Sequence, residues 1–190
     1  MDFTAPHIGD GIEEAMARHP RTRFLPADQA PYAAENRALP IGYGQTNSQP
    51  STVADMLRLL DLAPGQRVLD VGSGSGWTSA ILGELVGESG QVLGVELVPE
   101  LVAAAREALG DAQPWVSITQ ATPGTLGLPD QAPFDRILVS AAADELPTAL
   151  VEQLAGDGVM VIPVDRQLLR VTRDGTTGHG GYVFVPLITS

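Results

Sequence analysis

The stretch that decides the fold is VLDVGSGSGW, residues 68–77. It contains an apolar run that carries Asp70 and then three glycines at alternate positions, Gly72, Gly74 and Gly76. A sharp turn from strand to helix needs glycine where the backbone takes a positive φ or where a ligand approaches closely. The stretch therefore predicts a β-strand, a ligand-binding turn and the start of a helix.

Two kinds of nucleotide-binding turn compete for this pattern. The dinucleotide fingerprint GxGxxG fits poorly, because Trp77 occupies the position of its third glycine. An acid followed by GxGxG is typical of S-adenosylmethionine-dependent methyltransferases, and Glu96 ends the next predicted strand, 20 residues after Gly76. A carboxylate there can accept hydrogen bonds from both ribose hydroxyls of a cofactor. We therefore expect S-adenosyl-L-methionine as cofactor, with Asp70 and Glu96 at its site.

From Arg67 onward, short β-rich runs alternate with helical patterns, which is typical of a parallel sheet covered by helices. Five runs predict strands: RVLDV (67–71), QVLGVE (91–96), WVSIT (115–119), DRILVS (135–140) and GVMVIPV (158–164). Two further runs have no helix between them and predict an antiparallel strand pair: QLLRVTR (167–173) and GYVFVPL (181–187). The expected fold is α/β, with a Rossmann-like, doubly wound, mostly parallel sheet of seven strands that ends in this antiparallel C-terminal pair.

The first fifty residues follow a different pattern. A helix is expected over Ile12–Arg18, and four prolines then interrupt regular structure. Apolar side chains such as Phe24 and Leu39 favour an ordered segment over a disordered tail. We expect a single methyltransferase domain over residues 1–190, in which residues 1–50 form a helical and irregular N-terminal cap with the active-site loop and residues 51–190 form the cofactor-binding core.

Composition excludes several function classes. The chain has no lysine, so the Walker phosphate-binding loop and Schiff-base chemistry are excluded. The formal net charge of -12 disfavours binding to nucleic acid or anionic membranes. The arginines are scattered along the chain, and we expect them on a solvated surface. No run is long and apolar enough to cross a bilayer, so we expect a cytoplasmic monomer.

Metal chemistry is not expected either. There is no cysteine, which excludes disulfides and thiolate metal ligands. The three histidines, His7, His19 and His179, lie far apart in the sequence and form no HExxH motif. We therefore predict no metal site.

Six segments give the chain a resemblance to a known family. They are HPRTRFLP (19–26), RALPIGYGQTNSQPSTVADML (37–57), VLDVGSGSGWTSAIL (68–82), APFDRILVSAAADELPTAL (132–150), GDGVMVIPV (156–164) and YVFVPL (182–187). Taken together they resemble the protein-L-isoaspartate (D-aspartate) O-methyltransferase family, whose members typically have LPIGxGQTISQP at the second segment. The resemblance covers nearly the whole chain.

The resemblance implies roles for individual residues. Ser48 corresponds to the family's active-site hydroxyl, and Thr46 to a threonine that flanks the cofactor and substrate. The implied cofactor loop is Gly72, Ser73, Gly74 and Gly76, with Glu96 as the ribose-binding acid. The implied substrate segment is Val139, Ser140, Ala141 and Ala142. The implied reaction esterifies the free carboxylate of isoaspartyl residues in aged proteins or peptides, which begins their repair.

The segment GQTNSQP, residues 44–50, contains no charged side chain, which suits that reaction. We call it the active-site segment. A carboxylate with a pKa near about 4 is ionised at neutral pH, so no general base is needed to create the nucleophile. The hydroxyl of Ser48 can donate one hydrogen bond that orients the carboxylate, whereas an acid would repel it. The alternative is that Ser48 only caps the helix that follows.

Two departures from the family leave other functions open. The run QATPG (120–124) has Thr122 where the family has an adenine-binding aspartate, and a neutral hydrogen bond there lowers cofactor affinity by about several-fold. The chain ends at Ser190, soon after VPL, whereas the family carries further residues that enclose the site. The alternatives are an enzyme that esterifies aspartate in a dedicated peptide, and a cofactor-binding or peptide-binding homologue with weakened catalysis.

Overall fold

The computed structural model describes residues 11–188. Its nine strands are β1 (Leu39–Gly42), β2 (Gln45–Asn47), β3 (Arg67–Val71), β4 (Gln91–Glu96), β5 (Val116–Gln120), β6 (Phe134–Val139), β7 (Leu154–Val164), β8 (Gln167–Thr172) and β9 (Gly175–Gly181) within that range. The α-helices described there are α1 (Ile12–Arg18), α2 (Pro50–Leu60), α3 (Trp77–Val86), α4 (Pro99–Leu109) and α5 (Thr148–Val151). Short 3-10 helices span Arg21–Phe24, Ala30–Tyr32 and Pro129–Gln131.

Seven strands form one sheet in the order β5-β4-β3-β6-β7-β8-β9. The strands from β5 to β7 are parallel, and β8 and β9 join them in antiparallel pairing. The predicted fold class is therefore confirmed. The chain runs from β3 outward to β5 on one side and then returns to place β6 on the other side of β3. Ligands bind outside the carboxyl ends of the strands at such a reversal.

The two faces of the sheet pack against separate apolar clusters. One face packs against α1 to α4, where fully buried Leu57, Leu60, Ile81 and Leu82 lie over strand residues such as Val68. The other face packs against α5 and the preceding loop, and its buried residues include Leu69 and Phe134. Helices on both faces explain why β3 is apolar along most of its length.

The N-terminal cap is more regular than its sequence predicts. Antiparallel strands β1 and β2 form a hairpin in which Leu39 lies opposite Asn47. The hairpin turns through Gly42, Tyr43 and Gly44, which all take positive φ. This arrangement presents β2 and the residues after it to the carboxyl edge of the main sheet.

The strand predicted over residues 181–187 is wrong. The outer strand β9 is the exposed, glycine-rich segment Gly175–Gly181, which a tight turn at Arg173 and Asp174 connects to β8. An edge strand that is exposed along most of its length needs few apolar residues. The apolar residues that follow cross the end of the sheet instead, where the amide of Ala142 donates to the carbonyl of Val185 (2.8 Å) and the amide of Leu187 donates to the carbonyl of Ala142 (2.7 Å). We call residues 182–188 the C-terminal segment.

Candidate active site

Three adjoining cavities lie at the carboxyl edge of the sheet, where the strand order reverses. The inner cavity follows the ends of β3, β4 and β5. Its lining residues include Gly72, Val95, Glu96, Leu97, Val98, Ala121, Thr122, Leu126 and Gly127, together with Pro186, Leu187 and Ile188 of the C-terminal segment. This mixture of apolar side chains with a few polar groups is typical of small-molecule sites.

The central cavity adjoins the inner cavity, and Gln45, Gly72, Glu96 and Ala141 line both. It runs along the glycine turn to the segment that follows β2. Its other lining residues are Thr46, Asn47, Ser48, Ser73, Gly74, Ser75, Trp77, Thr78, Ser140 and Val185.

The outer groove continues from the central cavity toward the surface. Thr46, Ser48, Ser140 and Val185 line both spaces. Across the groove, Gln49, Ser51 and Thr52 of the α2 region face residues 181–185. Ser48 therefore lies where an internal ligand cavity meets an open groove.

The glycine turn has the backbone that its sequence predicts. Gly72, Gly74 and Gly76 take φ values of 75°, 52° and 83°. Gly76 is the N-cap of α3, and a side chain there would come within 3.1 Å of Ala105 and Ile118. Ser73 is buried, and its hydroxyl has no hydrogen-bond partner among residues 11–188. The turn thus presents its backbone to the central cavity.

Glu96 links two of the strand ends. Its carboxylate accepts hydrogen bonds from the amides of Gly74 and Val98, each at 2.9 Å. It is 7% exposed and lines both the inner and central cavities. A carboxylate offers about four lone-pair sites, so Glu96 retains acceptor capacity for ligand hydroxyls.

Asp70 lies beneath the turn, and the residues that line the cavities do not include it. It is fully buried, and one carboxyl oxygen accepts a hydrogen bond from the hydroxyl of Ser79 at 2.6 Å. Burial raises the pKa of Asp70 to about 7, while the Ser79 bond lowers it and the charge of Glu96 raises it further. Its other carboxyl oxygen has no hydrogen-bond partner among the described residues. Asp70 therefore acts on the site from below.

The active-site segment contains β2 and ends at Pro50, the first residue of α2. The N-cap of α2 is Gln49, and the cap makes no side-chain hydrogen bond. Ser48 is therefore not the N-cap of this helix. Half-buried Thr46 and Ser48 instead face the central cavity and outer groove.

The predicted substrate segment is divided by its burial. Ser140 and Ala141 line the central cavity, whereas Val139 is fully buried in β6. The backbone of Ala142 pairs with the C-terminal segment. The four residues of the predicted substrate segment thus have three different surroundings.

Thr122, the predicted adenine contact, is exposed just after β5 and lines the inner cavity.

The site is nearly free of charged side chains. Of the described residues that line the inner cavity, the central cavity and the outer groove, Glu96 is the only charged one. In residues 11–188, no three histidine, aspartate or glutamate side chains are grouped so as to hold a metal ion. His7 lies outside the described residues. The site therefore offers positioning by neutral groups.

One charged residue behind the site escaped sequence analysis. Arg21 is only 5% exposed, so the prediction that the arginines form a solvated surface is wrong for it. Its guanidinium donates to the side chain and carbonyl of Asn47 and to the carbonyl of Ser48. The burial of Arg21 can be understood only once the β1–β2 hairpin is known, because the guanidinium donates to carbonyl groups in and beside it.

No helix in residues 11–188 has both the length and the apolar character of a membrane-spanning helix.

Comparisons with known proteins agree on one family. The family model described as protein-L-isoaspartate(D-aspartate) O-methyltransferase matches residues 7–188. A protein-L-isoaspartate O-methyltransferase from Methanothrix thermoacetophila is 46% identical over 188 residues, which cover 96% of this chain and 90% of the relative. The enzyme of the same name from Aeropyrum pernix is 48% identical, with 93% and 72% covered.

Solved structures have the same fold over most of the chain. A protein-L-isoaspartate O-methyltransferase from Plasmodium falciparum in complex with S-adenosyl-L-homocysteine superposes with a TM-score of 0.82 at 25% identity, covering 95% of this chain and 91% of that one. A second structure of that name gives a TM-score of 0.81 at 27% identity, covering 93% of this chain and 61% of the other.

The buried carboxyl group of Asp70 predicts a measurable pH dependence of stability. Since its pKa is about 7 in the folded protein and near 3.8 ordinarily, the folded protein binds more protons than the unfolded chain between these values. The free energy of unfolding therefore falls as pH rises through this window, by about 1.4 kcal/mol per unit. Asp70→Asn cannot ionise, so from pH 5 to pH 8 it gains about 3 kcal/mol relative to the wild type.

Urea denaturation at both pH values measures this gain. Asp130→Asn, which alters an exposed carboxylate, is the matched control and shows no such pH-dependent difference. An Asp70→Asn difference that is equal at the two pH values contradicts the assignment.

Proposed function

Because the chain belongs to the protein-L-isoaspartate(D-aspartate) O-methyltransferase family, we propose that it methylates the free carboxylate of L-isoaspartyl residues in damaged proteins or peptides. It is an S-adenosylmethionine-dependent methyltransferase, as its family is. The observation that carries the substrate proposal is the position of Ser48 between the central cavity and a groove that is open to a peptide.

The residues present fit S-adenosyl-L-methionine. Glu96 has free acceptor sites for ribose hydroxyls at the boundary of the inner and central cavities. Within residues 11–188, no arginine lines the inner or central cavity, and the chain has no lysine, which suits a nucleoside without phosphate. Gly72, Ser73 and Gly74 would hold the amino-acid portion from the turn, with Thr46 on the opposite side. Thr122 would contact the adenine.

The bound cofactor supplies a methyl group made electrophilic by a sulfonium. The residues of this chain have the remaining task of aiming a carboxylate that is already ionised. The Ser48 hydroxyl donates a hydrogen bond to one carboxylate oxygen and leaves the other free. Ser140 and Ala141 bound the same space from the opposite side. No group at this position needs to remove a proton.

Water exclusion falls to the C-terminal segment. Its backbone bonds to Ala142 hold it across the end of the sheet, and the hydroxyl of Tyr182 donates to a carboxylate oxygen of Asp55 at 3.0 Å. Pro186 and Leu187 then cover the inner cavity, and Val185 covers the central cavity. We therefore propose that the C-terminal segment takes the enclosing role that further residues have in the family.

Asp70 and Gly76 would support cofactor binding indirectly. Asp70 anchors α3 through Ser79, and Gly76 lets α3 begin against α4. Val139 likewise fixes the end of β6, and Ala142 fixes the C-terminal segment. These four residues shape the site without lining the cavities.

We further propose a cytoplasmic monomer that acts on proteins and binds neither nucleic acid nor membrane. The net charge of -12 supports this by opposing contact with phosphate-rich partners. The cap (residues 1–50) and core (residues 51–190) would act as one domain, since Arg21 of the cap contacts Trp77 of the core.

The substrate is tested with two peptides that differ only in an isoaspartyl or aspartyl linkage. Mass spectrometry records the gain of one methyl group with S-adenosyl-L-methionine present. We expect the isoaspartyl peptide to be methylated at least about 10-fold faster. The free carboxylate of an isoaspartyl residue has a different position relative to the peptide backbone from that of aspartate, and Ser48 must orient it. Preferred methylation of the aspartyl peptide contradicts this and favours the dedicated-peptide alternative. Calorimetric binding of the cofactor with neither peptide methylated favours the weakened homologue.

Ser48→Ala removes the proposed hydrogen bond without changing the backbone. We expect transfer to the isoaspartyl peptide to fall about 10- to 100-fold, because the carboxylate loses its orientation. The affinity for S-adenosyl-L-homocysteine, measured by calorimetry, stays nearly unchanged. Ser89→Ala at an exposed position is the control and keeps full activity. A large loss of cofactor affinity in Ser48→Ala would mean that the residue is structural.

A further inference from the structure

Arg21 is a buried cation that forms no ion pair with residues 11–188. Burial, together with the nearby charge of Arg37, lowers its pKa to about 10, so the guanidinium is still charged at neutral pH. Burying a charge is costly unless hydrogen bonds compensate it. A guanidinium retained at this position therefore needs an explanation in its contacts.

Its hydrogen bonds all go to the active-site segment or to residues 35 and 37, which precede the hairpin. The guanidinium makes five hydrogen bonds, between 2.6 and 3.1 Å long. Two go to the carbonyls of Glu35 and Arg37, and two go to the side chain and carbonyl of Asn47. The fifth goes to the carbonyl of Ser48. A planar group with five N–H donors can hold several carbonyls at fixed angles, which lysine cannot do.

The same network reaches the cofactor turn. The side-chain amide of Asn47 donates to the hydroxyl of Ser75 at 2.9 Å. Arg21 also lies over the ring of Trp77, 5.5 Å from its centroid, and the indole of Trp77 donates to the carbonyl of His19 at 2.8 Å. The side chain of Asn47 therefore connects Arg21 to Ser75 of the glycine turn.

We propose that Arg21 is a positioning residue for methyl transfer, which fixes Ser48 relative to the glycine turn. This inference rests on the proposed function of Ser48. Arg21 acts through the backbone of residues 47 and 48 and is not one of the residues that line the cavities. Because displacement of an aligned group by about 1 Å can cost about 100-fold in rate, a small shift of this segment is enough to slow transfer.

The charge of Arg21 adds to this role. Among residues 11–188, Glu96 is the only charged residue that lines the three cavities, so no described lining residue offers a cation to the substrate carboxylate. A buried guanidinium behind Asn47 and Ser48 makes the electrostatic potential on that side more positive. Arg21→Lys keeps this charge and loses the five-donor geometry, whereas Arg21→Gln loses both.

The test measures transfer to the isoaspartyl peptide and affinity for S-adenosyl-L-homocysteine. We expect Arg21→Lys to lower kcat about 10- to 100-fold and Arg21→Gln to lower it further, while cofactor affinity changes less than about 3-fold. Arg23→Lys is the matched control from the same 3-10 helix, where exposed Arg23 bonds to the carbonyl of Leu109, and it retains wild-type kcat.

Combination with Ser48→Ala separates positioning from general loosening. If Arg21 acts through Ser48, Arg21→Lys lowers kcat much less in the Ser48→Ala background than in the wild type. A purely structural role gives the same fold-change in both backgrounds, and that result overturns the proposal. Wild-type kcat in Arg21→Lys also overturns it. If the wild type itself does not methylate the peptide, the proposed function fails instead.

Asn47→Ala provides an independent variant if those at Arg21 fail to fold. It removes the side-chain bonds to Arg21 and Ser75 and leaves the guanidinium in place. We expect about a 10-fold loss of kcat that largely disappears in the Ser48→Ala background. Equal losses in the two backgrounds would overturn the proposal here too.

Discussion

The bonds that the Glu96 carboxylate accepts from the amides of Gly74 and Val98 are the interaction on which the site depends. The Gly74 bond joins the turn after β3 to the end of β4, the neighbouring strand in the sheet, and the Val98 bond fixes the loop that follows β4. Hydrogen bonds to a charged group contribute about 1.5–3 kcal/mol each. The glycine turn is therefore held open with its backbone facing the central cavity.

The rest of the site is arranged around that link. Buried Asp70 anchors α3 beneath the turn, and Arg21 anchors the active-site segment beside it. Both are ionisable groups behind a lining whose described residues include one charged side chain, that of Glu96. These buried groups fix the geometry, while the described residues around Ser48 in the outer groove are uncharged. An uncharged lining suits a carboxylate nucleophile, because no acidic side chain there repels it.

The sequence was sufficient to predict six of the seven strands of the main sheet and the glycine turn after β3. Strong apolar runs fixed β3, β4 and β6, and alternate glycines predicted the positive φ values. It was insufficient where tertiary contacts decide the outcome. The segment 181–187 looked like a strand because it is apolar, yet its side chains cover the cavities. Arg21 carries no local sign of burial, since its partners are mainly backbone carbonyls that the hairpin brings together. Likewise, the depth of Asp70 and of Val139 depends on neighbouring strands rather than on neighbouring residues.

The pH dependence of methyl transfer tests the central claim most directly, namely that positioning in a neutral site replaces acid–base catalysis. The measurement is the single-turnover rate with saturating cofactor and isoaspartyl peptide. We expect a rate that is level from about pH 6 to about pH 9, because the substrate carboxylate is ionised throughout. A rate that rises tenfold per pH unit within this range would reveal a required general base and contradict catalysis by positioning alone.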